Sequence, residues 1–284
     1  MEPRRASETA AFTAMLRAAH QLFDAEPRIL VDPLAVGLVD AATPARLAER
    51  QAALREPTLR VPRSAIVLRS RFAEDELARV AAHGVGQYVV LGAGLDTFAY
   101  RQPAFAARLR IFEVDHPATQ AWKRERLAAA AIPIPPNLHW APIDFEQQSL
   151  AEGLRAAGFD PTQAACFSWL GVTQYLSRAA IEATLGVVAA LPHPTTVVLS
   201  FMVPDDAAPE AEAAAAHAAA QDAATTGEPW LTRFRPAELV AWLGQLGFPE
   251  VFHLTPSDAQ ARYFAGRPDN LRSPTAAQLI SAST

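Results

Sequence analysis

Hydrophobic residues recur with helical spacing at the start of the chain and switch to a β-then-α rhythm about a third of the way along. Over residues 8–24, Phe12, Met15, Leu16, Ala19, Leu22 and Phe23 fall near one stripe. Pro27, Pro33 and Pro44 punctuate the next stretch of chain. The pattern predicts a helical extension over 1–80 and an alternating α/β core over 81–284. In the core, strands are expected at 87–92, 110–115, within His139–Phe145, and at 166–170, 195–201 and 250–254, with helices at 96–108, 117–130, 149–158, 178–191 and 236–247. Residues 204–229 are alanine-rich and carry Asp205, Asp206, Glu210 and Glu212, which predicts a helical insertion acting as a lid or surface helix. The tail through Arg262-Tyr263-Phe264 has no clear period.

The stretch Gln87–Asp115 carries the chemistry. Tyr88-Val89-Val90-Leu91 is a buried-strand run, and Gly92-Ala93-Gly94 is a turn whose backbone can approach a ligand where a Cβ would collide. By itself such a turn can equally be a connector. Asp115 ends the second strand beside the turn, where a carboxylate accepts hydrogen bonds from ribose hydroxyls. Thr97 stands where a dinucleotide turn has its third glycine, and Asp96 competes for the helix-start amides that a phosphate would use. The expected ligand is a nucleoside without phosphate, a description that S-adenosylmethionine (SAM) fits.

Composition narrows the class. The chain has 284 residues, half of them hydrophobic, enough for a sizeable core. A net charge of −5 gives no basic footprint for nucleic acid, so a small-molecule or peptide substrate is expected. Cys166 is the single cysteine, between apolar neighbours, which reads as a buried thiol in a reducing compartment. No signal peptide and no membrane span are read, and a cytoplasmic protein is expected. No metal site is read, and the oligomeric state stays open.

Several segments together resemble the class I SAM-dependent methyltransferases, and within them the leucine carboxyl methyltransferase-like family, which includes bacterial natural-product O-methyltransferases. They are Leu68-Arg69-Ser70-Arg71-Phe72, the run Leu91–Arg101, Phe112–Pro117 followed by Lys123, Asp144-Phe145, and Trp169–Leu176. The resemblance implies a Rossmann-like, mostly parallel seven-stranded sheet with helices on both faces and an N-terminal helical lid. It also implies SAM as cofactor. Arg69 would pair with the methionine carboxylate, a task suited to a planar two-donor fork, although the residue also reads as a solvated helix arginine. Gly92, Ala93 and Gly94 would line the methionine part and Asp115 the ribose. Glu113 shares a strand face with Asp115 but stands farther from the strand end. Asp144 would accept from the adenine amino group, with Phe145 supplying an adjacent amide, while a helix N-cap is the other reading of Asp144.

Leu170 occupies the position where family members commonly carry a glutamate near the SAM amino group. The ammonium is then expected on carbonyls near Gly92 or Leu170, or on another carboxylate. Arg17 and His20, about one helical turn apart, can face one pocket or form a surface pair. Arg17 and Gln174 are the substrate candidates. His20 and Tyr175 are the catalytic ones, with His116 in reserve as a base. A carboxylate acceptor needs no base, whereas a phenol does. The expected activity is therefore carboxylate O-methylation of a small natural product or peptide, with phenolic O-methylation as the alternative. A nucleotide-dependent oxidoreductase and a non-catalytic adenosyl-binding protein are the readings from other classes.

Overall fold

Tyr88–Leu91 lacks the polar alternation of a half-exposed strand, as expected of a parallel strand covered on both faces. A computed structural model, which describes residues 8–39, 45, 48–49, 51–145, 147–225 and 227–284, places it third in a seven-stranded sheet, away from both edges. Helices α1 (Glu8–Phe23), α2 (Ala35–Val39), α3 (Gln51–Arg55) and α4 (Pro57–Ala82) precede β1 (Gln87–Leu91). Short α5 (Phe98–Arg101) leads to β2 (Arg110–Asp115), α6 (Pro117–Ala129), β3 (Leu138–Pro142), α7 (Leu150–Ala156) and β4 (Ala165–Trp169). Then come α8 (Arg178–Ala189), β5 (Thr196–Met202), α9 (Glu210–Thr225), α10 (Pro236–Gln245), β6 (Glu250–Leu254) and β7 (Ala277–Ser283). The strand order is β3-β2-β1-β4-β5-β7-β6, parallel except for β7, which runs antiparallel to both its neighbours. Neighbour order reverses between β1 and β4, the crevice where open α/β sheets bind ligands.

Alternate residues of each strand feed opposite layers. Val89, Leu91, Phe112, Val114, Phe167 and Trp169 pack with side chains of α7, α8 and α10. Tyr88, Val90, Ile111 and Cys166 pack with α4, α5 and α6. Helix α4 is part of this second layer rather than of a lid. Its Leu77 and Val80 join the β1 side, and Val67, Leu68 and Phe72 join Val198 of β5 and Leu279 of β7. The helical layer of α1 to α3 is seated on α4 through Leu16, Ala19, Leu54 and Ile66. No helix among the described residues is long and apolar enough to cross a membrane.

Two expected elements differ. The helix expected at 96–108 stops after Arg101, because Gln102 turns left-handed (φ 45°) and Pro103 follows. A single 3-10 turn, Ala106–Arg108, completes the connection. Strand β7 escaped the pattern reading because Ala277-Gln-Leu-Ile-Ser-Ala-Ser283 is rich in small residues of modest strand preference; it is held by pairing on both sides.

One fully buried carboxylate fastens the N-terminal layer to the glycine turn. Asp32 accepts from Thr97 Oγ1 at 2.6 Å and lies 3.2 Å from Arg17 Nε and 3.6 Å from Arg101 Nε. Asp32→Ala would take the acceptor from Thr97 and leave the buried Arg17 charge without its ion-pair partner, a loss of about 3–5 kcal/mol for a broken buried pair. Urea unfolding checks this, and a loss below about 1 kcal/mol, the range of exposed pairs, would remove Asp32 from that role.

Candidate active site

Above the carboxyl ends of β1, β2 and β4 lies a cavity of about 710 Å³. Its floor is the Gly92-Ala93-Gly94 turn. Gly92 has φ +66°, and a Cβ there would stand 2.5 Å from Val172 Cγ2, so the close approach of the two loops requires glycine. The amide of Gly94 donates to Asp115 Oδ2 at 2.6 Å and that of His116 to Oδ1 at 2.7 Å. Burial nevertheless raises the Asp115 carboxyl above its ordinary value of 3.8, the two amides pulling the other way. Glu113, two residues earlier, does not line the cavity. It is buried between Lys123 Nζ at 2.7 Å and the Tyr100 hydroxyl at 3.1 Å, and burial pushes it up to about 7.

Arg69 projects from α4 into the same cavity, against Gly171. A Cβ at Gly171, where φ is +73°, would meet Arg69 Nη1 at 2.2 Å. Among the described residues no carboxylate forms an ion pair with Arg69. Burial and the neighbouring Arg17 charge bring its guanidinium down to about 10, so it remains protonated at neutral pH. Tyr175 and Leu170 complete this wall, Leu170 offering only an apolar side chain and its main chain.

The candidate residues are only partly gathered here. Arg17, Arg69, Gly92, Ala93, Gly94, Asp115, Leu170 and Tyr175 line the cavity; His20, Asp144, Phe145 and Gln174 do not. Arg17 and His20 therefore do not share a pocket. Arg17 donates through Nη2 to the Leu95 carbonyl, whereas His20 is fully buried, with Nδ1 2.7 Å from Asp24 Oδ2. Asp24 is in turn gripped by both Arg63 Nε and Nη2, so His20 belongs to a packed ion cluster and is no catalytic base. Gln174 is a brace: its carbonyl receives the Leu231 and Thr232 amides and its side chain turns to the Gly171 carbonyl. Asp144 accepts from Gln147 Nε2 at 2.7 Å, one strand further out than the cavity floor, and Phe145 is exposed. Nor is Asp144 a helix cap, since Ser149 and Glu152 form the capping box of α7.

The fold also delivers Thr9 and Glu228, which no local motif singles out, and brings Asp96 and His116 to the same cavity. Asp96 and Glu228 add two carboxylates to the lining, and Thr9 Oγ1 donates to Glu228 Oε2 at 2.6 Å across 219 positions of chain. Asp96 Oδ1 accepts the Phe98 amide at 2.8 Å, occupying the start of α5 as the turn's composition suggested. His116 is the lining histidine, and its Nδ1 accepts the Ala118 amide at 3.1 Å. A contact such as Thr9 to Glu228 leaves no local sequence signal.

A family model, that of leucine carboxyl methyltransferases, matches residues 10–189, which include the glycine turn, Asp115 and Arg69. The chain belongs to the leucine carboxyl methyltransferase family. It is 33% identical over 204 residues to a Bacillus subtilis protein named as a SAM-dependent methyltransferase, covering 72% of this chain and 67% of that one. A Mycobacterium avium protein of the same description is 33% identical over 211 residues, covering 70% and 68%. Two solved structures share the fold: a Thermobifida fusca protein described as a methyltransferase (TM-score 0.58, 18% identity, 96% and 94% covered) and a Streptomyces avermitilis protein (TM-score 0.56, 15% identity, 95% and 96% covered).

This leucine carboxyl methyltransferase family member is a SAM-dependent methyltransferase, which sets aside the oxidoreductase and non-catalytic readings. Its cavity suits SAM: a guanidinium without an ion-paired carboxylate among the described residues would meet an amino-acid carboxylate, a carboxylate at a strand end would meet a ribose, and a glycine floor that a Cβ would fill would let the ligand sit close. Gly171→Ala should drive Arg69 from its place and weaken S-adenosylhomocysteine binding by about tenfold or more, equivalent to about 1.4 kcal/mol. Titration calorimetry reads the loss, and unchanged affinity would detach Arg69 from the ligand. Asp115 accepts hydrogen bonds from hydroxyls more strongly when ionised, so affinity should fall on acidification with a midpoint above 3.8. Asp115→Asn should flatten that part of the profile.

Proposed function

We propose that the acceptor is a carboxylate of a small natural product or peptide, which leaves as its methyl ester. SAM, when bound, supplies a methyl group already activated by a sulfonium. The chain's part is to seat the acceptor in line with it and to supply any proton chemistry the acceptor needs. The observation that carries the proposal is the state of the lining histidine. Because His116 Nδ1 accepts a main-chain amide, the neutral ring carries its proton on Nε2, so this lining histidine has no free ring nitrogen to serve as a base. A carboxylate, ionised at neutral pH, needs no base; a phenol, with a pKa near 10, does.

Arg17 supports the same choice. Its Nη2 is held by the Leu95 carbonyl and its Nε sits in the field of Asp32, which fixes a cation in the cavity wall near Arg69. Arg69 and Asp115 would hold the methionine carboxylate and the ribose of SAM, leaving Arg17 and His116 Nε2 for an acidic acceptor. The Thr9–Glu228 hydrogen bond joins the first turn of α1 to the 227–231 segment, so both walls that would surround an acceptor come from outside the strand ends.

Assaying methyl transfer to a panel of carboxylic acids and phenols tests the proposal, with mild base treatment of the product. The expected product is a base-labile ester, and His116→Gln should keep the rate within about tenfold, short of the roughly 10²-fold or greater loss of a general base. A base-stable ether together with a loss of that size would establish the phenol instead.

A further inference from the structure

The second large cavity, about 670 Å³, shares no lining residue with the first. It lies on the other side of α4, two residues past Arg69, and is bounded by Arg71, Ala78 and Arg79 of that helix, by Arg28 of the α1–α2 connection, and by Arg262 and Arg267 near the C-terminus. Five arginines from three separate stretches of chain line it, against Glu26 and Asp75. The protein as a whole carries a net charge of −5, so this concentration of positive charge runs against its overall balance.

The pairing within the bowl is incomplete. Arg79 is matched by Glu76, Arg267 by Asp269 and Arg28 by Glu26. Among the described residues Asp75 alone serves both remaining guanidiniums: Oδ1 receives Arg71 Nε at 2.8 Å, and Oδ2 receives Arg262 Nη2 at 3.0 Å and the Tyr263 hydroxyl at 2.8 Å. One carboxylate under two guanidiniums leaves one positive charge in excess. Arg71 and Arg262 are both nearly half exposed, so their outer N–H groups face the bowl and solvent.

The backbone at this point is also unusual. Gln260–Phe264 forms a π-helical turn, which presents Arg262 and Tyr263 together while Phe264 is buried beneath them. Such turns cost backbone regularity and collect at ligand sites. Arg262 lies over the Tyr263 ring, 4.9 Å from its centroid, which holds the guanidinium plane in place for a two-donor contact.

We propose that this bowl is a second ligand site, taking a phosphate-bearing small molecule whose oxyanion bridges Arg71 and Arg262. Guanidinium forks match phosphate oxygens in pairs, and a dianion supplies the charge that Asp75 alone does not. The site is built outside the methyl-transfer cavity, so its occupant is neither SAM nor the methyl acceptor.

Titration calorimetry of the full-length protein with sodium tripolyphosphate, at ionic strength matched with potassium chloride, tests this. Saturable binding is expected, unchanged when S-adenosylhomocysteine is present, and weakened at least tenfold in the Arg71→Ala/Arg262→Ala double variant. Should that variant fail to fold, Ala78→Glu keeps every arginine and places a carboxylate in the bowl, and should weaken binding to the same extent. Absence of saturable binding, equal affinity in the variants, or displacement of tripolyphosphate by S-adenosylhomocysteine would overturn the proposal.

Discussion

A parallel sheet must be covered on both faces, and all its parallel strands end on one side; most of this molecule is a consequence of that pair of requirements. Covering one face is the work of α7, α8 and α10, and covering the other falls largely to α4, α5 and α6. Because α4 is needed as a layer, it runs past the strand ends, and Arg69 on it is carried to the crevice between β1 and β4. The site is thus assembled by core packing. Its acidic partner, Asp115, arrives by the same route, as the last residue of a strand buried on both faces.

The N-terminal layer adds buried charge, and its stability rests on how completely that charge is compensated. Asp24 is flanked by His20 and Arg63, and although burial opposes ionisation, these partners hold its carboxyl below the usual aspartate range. Asp32 is flanked by Arg17, Thr97 and Arg101. Glu113 is flanked by Lys123 and Tyr100. Against this background Arg69 stands out: it is half-buried and in no carboxylate ion pair among the described residues, so its charge is partly desolvated at a cost. A site that receives an anion recovers that cost on binding.

Helix α4 has polar business on two sides. Arg69 and Ser70 line the first cavity, and Arg71, Asp75 and Arg79, from the very next residue onward, line the second bowl. Between them, Phe72, Ala73 and Leu77 point into the sheet. The two cavities are therefore joined by one rigid element whose apolar face is fixed in the core.

The alternating α/β core, the glycine turn and the acid that ends β2 were legible in the sequence, because each is set by local patterning: unbroken apolar runs in strands covered on both faces, a turn only glycine can make, and a residue at a strand end. The resemblance of short segments around Arg69, Asp115 and Trp169–Leu176 was legible for the same reason, each being contiguous in the chain. What helical spacing could not show was direction. Arg17 and His20 are three positions apart, yet packing against α4 sends one to the cavity and the other to Asp24 and Arg63. Strand β7, a short run of small residues, exists through its pairing with β5 and β6. Glu228 reaches the cavity only because the 227–231 segment folds back onto Gln174 and Thr9. Local periodicity and turn chemistry decided the fold and the glycine floor of the cavity; long-range contacts, which leave no period in the sequence, decided its outer walls.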